Sequence, residues 1–169
     1  MMNAKQLVVL PYDSNWEQDF IKIRDEIKPA LNDLALKIEH VGSTSVKGLS
    51  AKPIIDIDVV IRDYTVFDKA IACLEKIGYT HEGDLGIKGR EAFKYEGKQH
   101  LRKHHLYVCP QDSPELKRHI AFRDYLRNHP EAVKEYSDIK EKGAELYPYD
   151  MDKYMEYKSA VIEKIYKMI

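Results

Sequence analysis

The run Pro53-Ile54-Ile55-Asp56-Ile57-Asp58-Val59-Val60-Ile61 constrains the fold more than any other part of this chain. Its β-branched residues favour a buried strand, yet two carboxylates interrupt it. Side chains alternate faces along a strand, so Asp56 and Asp58 share one face while Ile55, Ile57 and Val59 share the other. Two adjacent carboxylates cannot both be buried and ionised without a compensating cation or open solvent. The chain must therefore put its core on one side of this strand and a polar site on the other. A second Asp-x-Asp, at Asp150 and Asp152, follows Tyr147-Pro148-Tyr149 and opens a helix, where aspartate serves as a cap.

About a dozen residues earlier lies Glu39-His40-Val41-Gly42-Ser43-Thr44-Ser45, a strand ending in a glycine–serine turn. Such a turn lets backbone N–H groups and hydroxyls approach an anion. The rest alternates helix and strand. Helices are expected after Asp13-Ser14, with Pro29 kinking or dividing the first one, and over Tyr64 to Ile77, stopped by Gly78. Strands are expected at Leu36 to Val41, Tyr79 to His81, Arg90 to Tyr95 and His104 to Val108. Three helices should follow, from Ser113 to His129, from Pro130 to Gly143, and from Met151 to Ile169. This order predicts an α/β (α+β) unit with a mixed sheet flanked by helices and a helical C-terminal part packed on it, residues 1–169 forming one domain. Trp16 falls on the apolar side of the first helix and is expected in the core.

The 27 Lys and Arg against 28 Asp and Glu leave no field that would draw the protein to nucleic acid, so a nucleic-acid partner is not expected. Cys73 and Cys109 are not spaced as zinc ligands. His100, His104 and His105 do not make a zinc site either, because His104 and His105 fall on opposite faces of a strand. No segment has the roughly 20 apolar residues of a membrane span, nor does the N-terminus read as a signal peptide, and a cytoplasmic location is expected.

The combination His40-Val41-Gly42-Ser43-Thr44-Ser45-Val46, Gly48-Leu49, Lys52-Pro53-Ile54-Ile55-Asp56-Ile57, and later His119 with Phe122-Arg123-Asp124-Tyr125-Leu126-Arg127 resembles the GrpB family, a branch of the nucleotidyltransferase superfamily. The resemblance runs from about Val9 to the last helix. It implies the nucleotidyltransferase-like fold, with Mg²⁺ or Mn²⁺ on Asp56 and Asp58 and a nucleoside triphosphate on Gly42 and Ser43, supported by Thr44 and Ser45. The implied activity is Mg²⁺-dependent transfer of a nucleoside monophosphate from an NTP to a small-molecule or protein acceptor. A noncatalytic nucleotide- or phosphate-binding module is the alternative, and a metal-dependent phosphohydrolase a third.

Active members of the superfamily place a third carboxylate on a neighbouring strand. Here that strand, Lys103 to Val108, contains no acid. His105 and Tyr107 are expected to face the site, with His105 the catalytic candidate, and Glu91 on the preceding strand is the substitute acid. Arg90 and Lys52 are candidate phosphate contacts, and His40 either orients the turn or touches substrate. His119, Arg123 and Arg127 recur every four residues as a basic stripe on one helix, with Arg123 the guanidinium suited to phosphate. Lys158 interrupts the apolar seam of the last helix, an unusual place for an unpaired lysine, and is expected in the cleft.

Overall fold

The computed structural model describes residues 5–169. Its centre is a five-stranded mixed sheet in the order β1-β2-β5-β4-β3, formed by β1 (Lys37–Val41), β2 (Ile55–Ile61), β3 (Tyr79–Gly83), β4 (Glu91–Tyr95) and β5 (His104–Pro110). β2 runs antiparallel to β1 and parallel to β5, while β4 is antiparallel to both β5 and β3. The parallel pair lies in the middle of the sheet, where both faces can be covered.

One face carries Ile55, Ile57, Val59 and Ile61, all fully buried against α1 (Asn15–Leu31) and α2 (Phe67–Glu75). Each such side chain contributes about 1.5–3 kcal/mol. Trp16, Ile23 and Ile27 of α1 are equally sealed, as the spacing of that helix required. Pro29 does not divide α1. It lies in the last turn, two residues before the helix ends, where only one interior hydrogen bond is forfeited.

The opposite face of β2 presents Asp56, Asp58 and Val60, and α3 (Pro114–Arg127) lies over it, with Leu116 packed on Val60 and Cys109. The basic stripe fixes α3 in this position. His119 binds Asp58, Arg123 binds Glu39 of β1, and Arg127 donates to the Ser45 carbonyl. These three groups, spaced for one side of a helix, fasten it to two strands and the serine turn.

Two long helices, α4 (Pro130–Leu146) and α5 (Met151–Lys167), form the C-terminal part. Val133, Tyr136, Val161 and Ile165 bury themselves against Val46 and Leu49, which follow the serine turn, and against Leu126 of α3. Gly143 does not end α4, contrary to the sequence expectation; the helix runs three residues further. Its missing side chain instead lets α5 come close, since a Cβ there would stand 2.9 Å from Tyr157 Cδ1 and 3.0 Å from Tyr154 Cδ2. Asp150 caps α5 by accepting from the Lys153 N–H, the capping role expected of the second Asp-x-Asp. Among the described residues no helix is long and apolar enough to cross a membrane.

Glycine to alanine in an exposed helix gains about 1 kcal/mol. For Gly143→Ala we expect a loss of about 1–3 kcal/mol instead, because overpacking against the buried Tyr154 ring outweighs the gain in propensity. A urea titration followed by circular dichroism reads the sign, and a raised midpoint would show that α5 yields.

Candidate functional site

The register of the sheet assembles the polar face. β2 aligns with β5 so that Asp56 pairs with His105 and Asp58 with Tyr107, as the alternation of β5 required. His105 Nδ1 donates to Asp56 Oδ1 at 3.0 Å. Asp56 keeps a side-chain exposure of 33%, whereas Asp58 is fully buried.

Asp58 receives a 2.7 Å hydrogen bond from His119 Nδ1, while His119 Nε2 lies 3.2 Å from Glu115 Oε1. Burial pushes the Asp58 carboxyl above its usual range, against the pull of His119. Burial also opposes charge on His119, but the bond to Asp58 and the two nearby carboxylates outweigh it and raise its pKa. The pair therefore holds its proton tightly. Among the described residues the buried Asp58 Oδ1 has no hydrogen-bond partner, an expensive state for a carboxylate oxygen.

The serine turn divides its hydroxyls between two jobs. Gly42, at φ +73°, brings the backbone against Asp56, and any Cβ there would collide with Asp56 Oδ2. Ser45 Oγ donates back to the Gly42 carbonyl, and Thr44 Oγ1 shares a 2.9 Å hydrogen bond with His40 Nε2. His40 is stacked on Phe20 of α1, and burial drives its pKa down to about 4. Thr44, Ser45 and His40 thus hold the turn in shape. Ser43 alone turns its hydroxyl toward the helical part, where it meets Lys140 Nζ of α4.

Lys140 is 3% exposed. Its Nζ lies 4.2 Å from the Tyr136 ring centre and also donates to the Ser50 carbonyl at 3.2 Å, with no carboxylate paired to it among the described residues. Lys158 Nζ stands 4.8 Å from the Tyr154 ring centre and Lys52 Nζ 5.8 Å from the same ring. Burial lowers all three lysine pKa values, that of Lys140 far below the ordinary range and that of Lys158 to about 8, while Asp56 pulls each of them back upward. Three lysines thus converge beside one half-exposed carboxylate and a serine turn.

Several expected contacts are placed elsewhere. The Arg123 guanidinium is held by Glu39 at 2.7 Å, by Asp124 at 2.9 Å and by the His40 carbonyl at 3.1 Å, so it braces β1 and does not face the cleft. Arg90 lies 4.2 Å over the Tyr107 ring. Glu91 cannot be the missing acid, because its register partner is Val108, one residue out of step with Tyr107, and its carboxylate lies near His81. The three clustered histidines go separate ways: His100 to Glu26, His104 to Tyr79, and His105 to Asp56. Among the described residues no group of three or more His, Cys, Asp and Glu is arranged to hold a metal.

Lys140 did not emerge from the sequence, although a signal existed. It recurs with Val133, Tyr136, Ser137 and Gly143 on the buried stripe of α4, the same irregularity that drew attention to Lys158.

A family model described as GrpB protein matches residues 6–168. The chain belongs to the GrpB family. It is 32% identical over 159 residues to UPF0157 protein YqkA of Bacillus subtilis, spanning 94% of this chain and 46% of that relative, so it covers about half of the relative's length. The crystal structure of GrpB from Enterococcus faecalis superposes with a TM-score of 0.83 at 36% identity, covering 95% of this chain and 96% of that one. The nucleotidyltransferase-like fold extends further, to the Cid1 poly(U) polymerase solved with MgGTP bound, at a TM-score of 0.55 and 10% identity over 78% of this chain and 42% of Cid1.

Lys158 supplies a pH test. In the folded protein its pKa is depressed to about 8, whereas the unfolded lysine holds its proton to about 10.4. Between these values the unfolded state binds more protons, so this residue makes stability rise with pH. The stability gain of the free protein from pH 8 to pH 9.5 is expected to shrink in Lys158→Met, read as the difference between denaturation midpoints. Equal gains in both proteins would contradict the depressed value.

Proposed function

We propose that this GrpB protein binds a nucleoside triphosphate between its serine turn and its helical part, and transfers the nucleoside monophosphate to an acceptor hydroxyl, phosphate or amine. The observation that carries this reading is Lys140, a buried amine on Ser43 Oγ whose charged form has no carboxylate partner among the described residues. A lysine so placed suits a site where a ligand supplies the anion that restores its charge. Lys158 and Lys52 widen the same positive field toward Asp56. A polyphosphate carries enough charge to engage three lysines and a serine hydroxyl together.

Mg²⁺ or Mn²⁺ fits the remaining corner. Both ions take oxygen ligands and are commonly held by one or two carboxylates plus substrate phosphates. Asp56, half exposed, and Asp58, whose Oδ1 has no partner, are the residues that would hold it. When bound, such a cation stabilises charge on the attacking and leaving oxygens. Ser43, Lys140 and Lys158 hold the terminal phosphates, and Lys52 offsets charge nearer the reacting phosphorus. The acceptor atom forms a bond to the α-phosphorus, the bond to the bridging oxygen breaks, and pyrophosphate leaves into the lysine cluster. His105, fixed by Asp56, accepts the proton released by the acceptor and passes it to solvent.

The second reading is a nucleotide-binding module without turnover, favoured by Tyr107. This residue stands beside Asp58 in the register position where a third acid would complete the set, and burial raises its pKa above the ordinary phenol value.

Incubation with each NTP and Mg²⁺ separates the two. We expect pyrophosphate release that is lost in Asp56→Asn, and nucleotide binding weakened about 10- to 100-fold in Lys140→Met, the value of one charge-assisted contact. Saturable binding without pyrophosphate would favour the module. Absence of binding would overturn both.

A further inference from the structure

A cavity of about 750 Å³ lies immediately beside the lysine cluster. Leu7, Ile54, Leu101 and Met151 form its apolar wall, and Lys52 and Lys103 stand at its rim. Lys52 therefore belongs to both places, since its Nζ lies 5.8 Å from the Tyr154 ring centre on one side and 3.8 Å from Met151 Sδ on the other. The cavity also adjoins the start of β2, because the Lys103 carbonyl accepts from the Ile55 N–H at 3.0 Å, one residue from Asp56.

Of the other ionisable groups at this cavity, the exposed Lys5 adds a further cation, and the rest are matched. Arg102 Nε donates to Asp19 at 3.0 Å, and His100 binds Glu26 at 2.6 Å. Lys52 and Lys103 have no salt-bridge partner among the described residues. Burial and the nearby Lys103 both work against the charge on Lys52, so a second anion there would relieve an existing conflict.

A nucleobase does not suit this space. Bases bind by stacking on aromatic rings, and the lining contains no Phe, Tyr or Trp. An uncharged base would also leave both rim lysines without a counter-charge.

We infer that this cavity is the acceptor site, and that the acceptor is a small molecule with an anionic head group on a short apolar body. The head group sits between Lys52 and Lys103 and the apolar body lies along Leu7, Ile54, Leu101 and Met151. Its designation as an acceptor site rests on the nucleotidyl-transfer reading, but its chemistry does not. Pockets that combine an apolar wall with a few convergent polar groups are the usual form of small-molecule sites.

Hexyl phosphate tests this directly, with hexanol and inorganic phosphate as controls, by calorimetric titration of the whole protein. We expect one-to-one binding of hexyl phosphate at least tenfold tighter than either control. Binding should also be at least tenfold weaker in Lys103→Glu, an exposed position at which folding is not at risk, and in Ile54→Glu. Saturation with Mg²⁺ and a non-hydrolysable NTP should leave hexyl phosphate binding intact, and Lys103→Glu should keep its nucleotide affinity within about twofold. Unchanged hexyl phosphate binding in Lys103→Glu, competition with the nucleotide, or no binding at all would overturn the proposal. Hexyl phosphate binding in a protein that binds no nucleotide would uphold the amphipathic-anion site and refute only the transfer reading.

Discussion

The burial of the Lys140 Nζ of α4 against the Ser43 hydroxyl and the Ser50 carbonyl is the interaction on which the site depends. Burying an unpaired cation costs several kcal/mol, so burial holds the Lys140 pKa far below the ordinary range while its Nζ meets Ser43, the Ser50 carbonyl and the Tyr136 ring. Its position requires α4 and α5 to pack tightly. Gly143 permits that packing, and the apolar contacts of Val133, Val161 and Ile165 with Val46 and Leu49 secure it. The segment that presents Ser43 is thus the same one that anchors the helical part. Loss of this anchor would displace Lys140, Lys158 and the serine turn together.

The two carboxylates are treated unequally, and α3 is the reason. Its basic stripe turns inward, so that His119, Arg123 and Arg127 each meet an oxygen on β2, β1 or the serine turn. Asp58 is sealed beneath this helix while Asp56 stays half open. The chemistry available to the pair follows from that difference. On the proposed function Asp56 would meet ligand first, and Asp58 would act through its unpartnered oxygen or through His119.

Much of this was legible in the sequence because periodicity reports burial. The alternation in β2 and β5 gave the shared face of Asp56, Asp58, His105 and Tyr107, and the helical spacing of Trp16, Phe20, Ile23 and Ile27 gave the packing of α1. The positions that misled were those where pattern cannot name a partner. Arg123 has the chemistry of a phosphate ligand, but Glu39, 84 residues away in sequence, takes it. Glu91 lies one register step from the site, and no composition rule distinguishes it from a residue that faces Tyr107. Gly143 reads as a helix stop until the tyrosines of α5 show what its bare Cα admits. Thr44 looks like a ligand contact because it follows Ser43, yet it bonds His40, which thereby takes the turn-orienting one of its two expected roles.

The most direct test of the central claim is proton linkage on binding. A polyphosphate placed among Lys140, Lys158 and Lys52 favours their charged forms, so lysines whose pKa values lie low in the free protein must take up protons. Calorimetric titration with Mg²⁺ and a non-hydrolysable NTP at pH 8, repeated in two buffers of different ionisation enthalpy, reads that uptake. Net proton uptake that falls in Lys140→Met is expected. Tight binding with no proton exchange would place the nucleotide away from these lysines and contradict it.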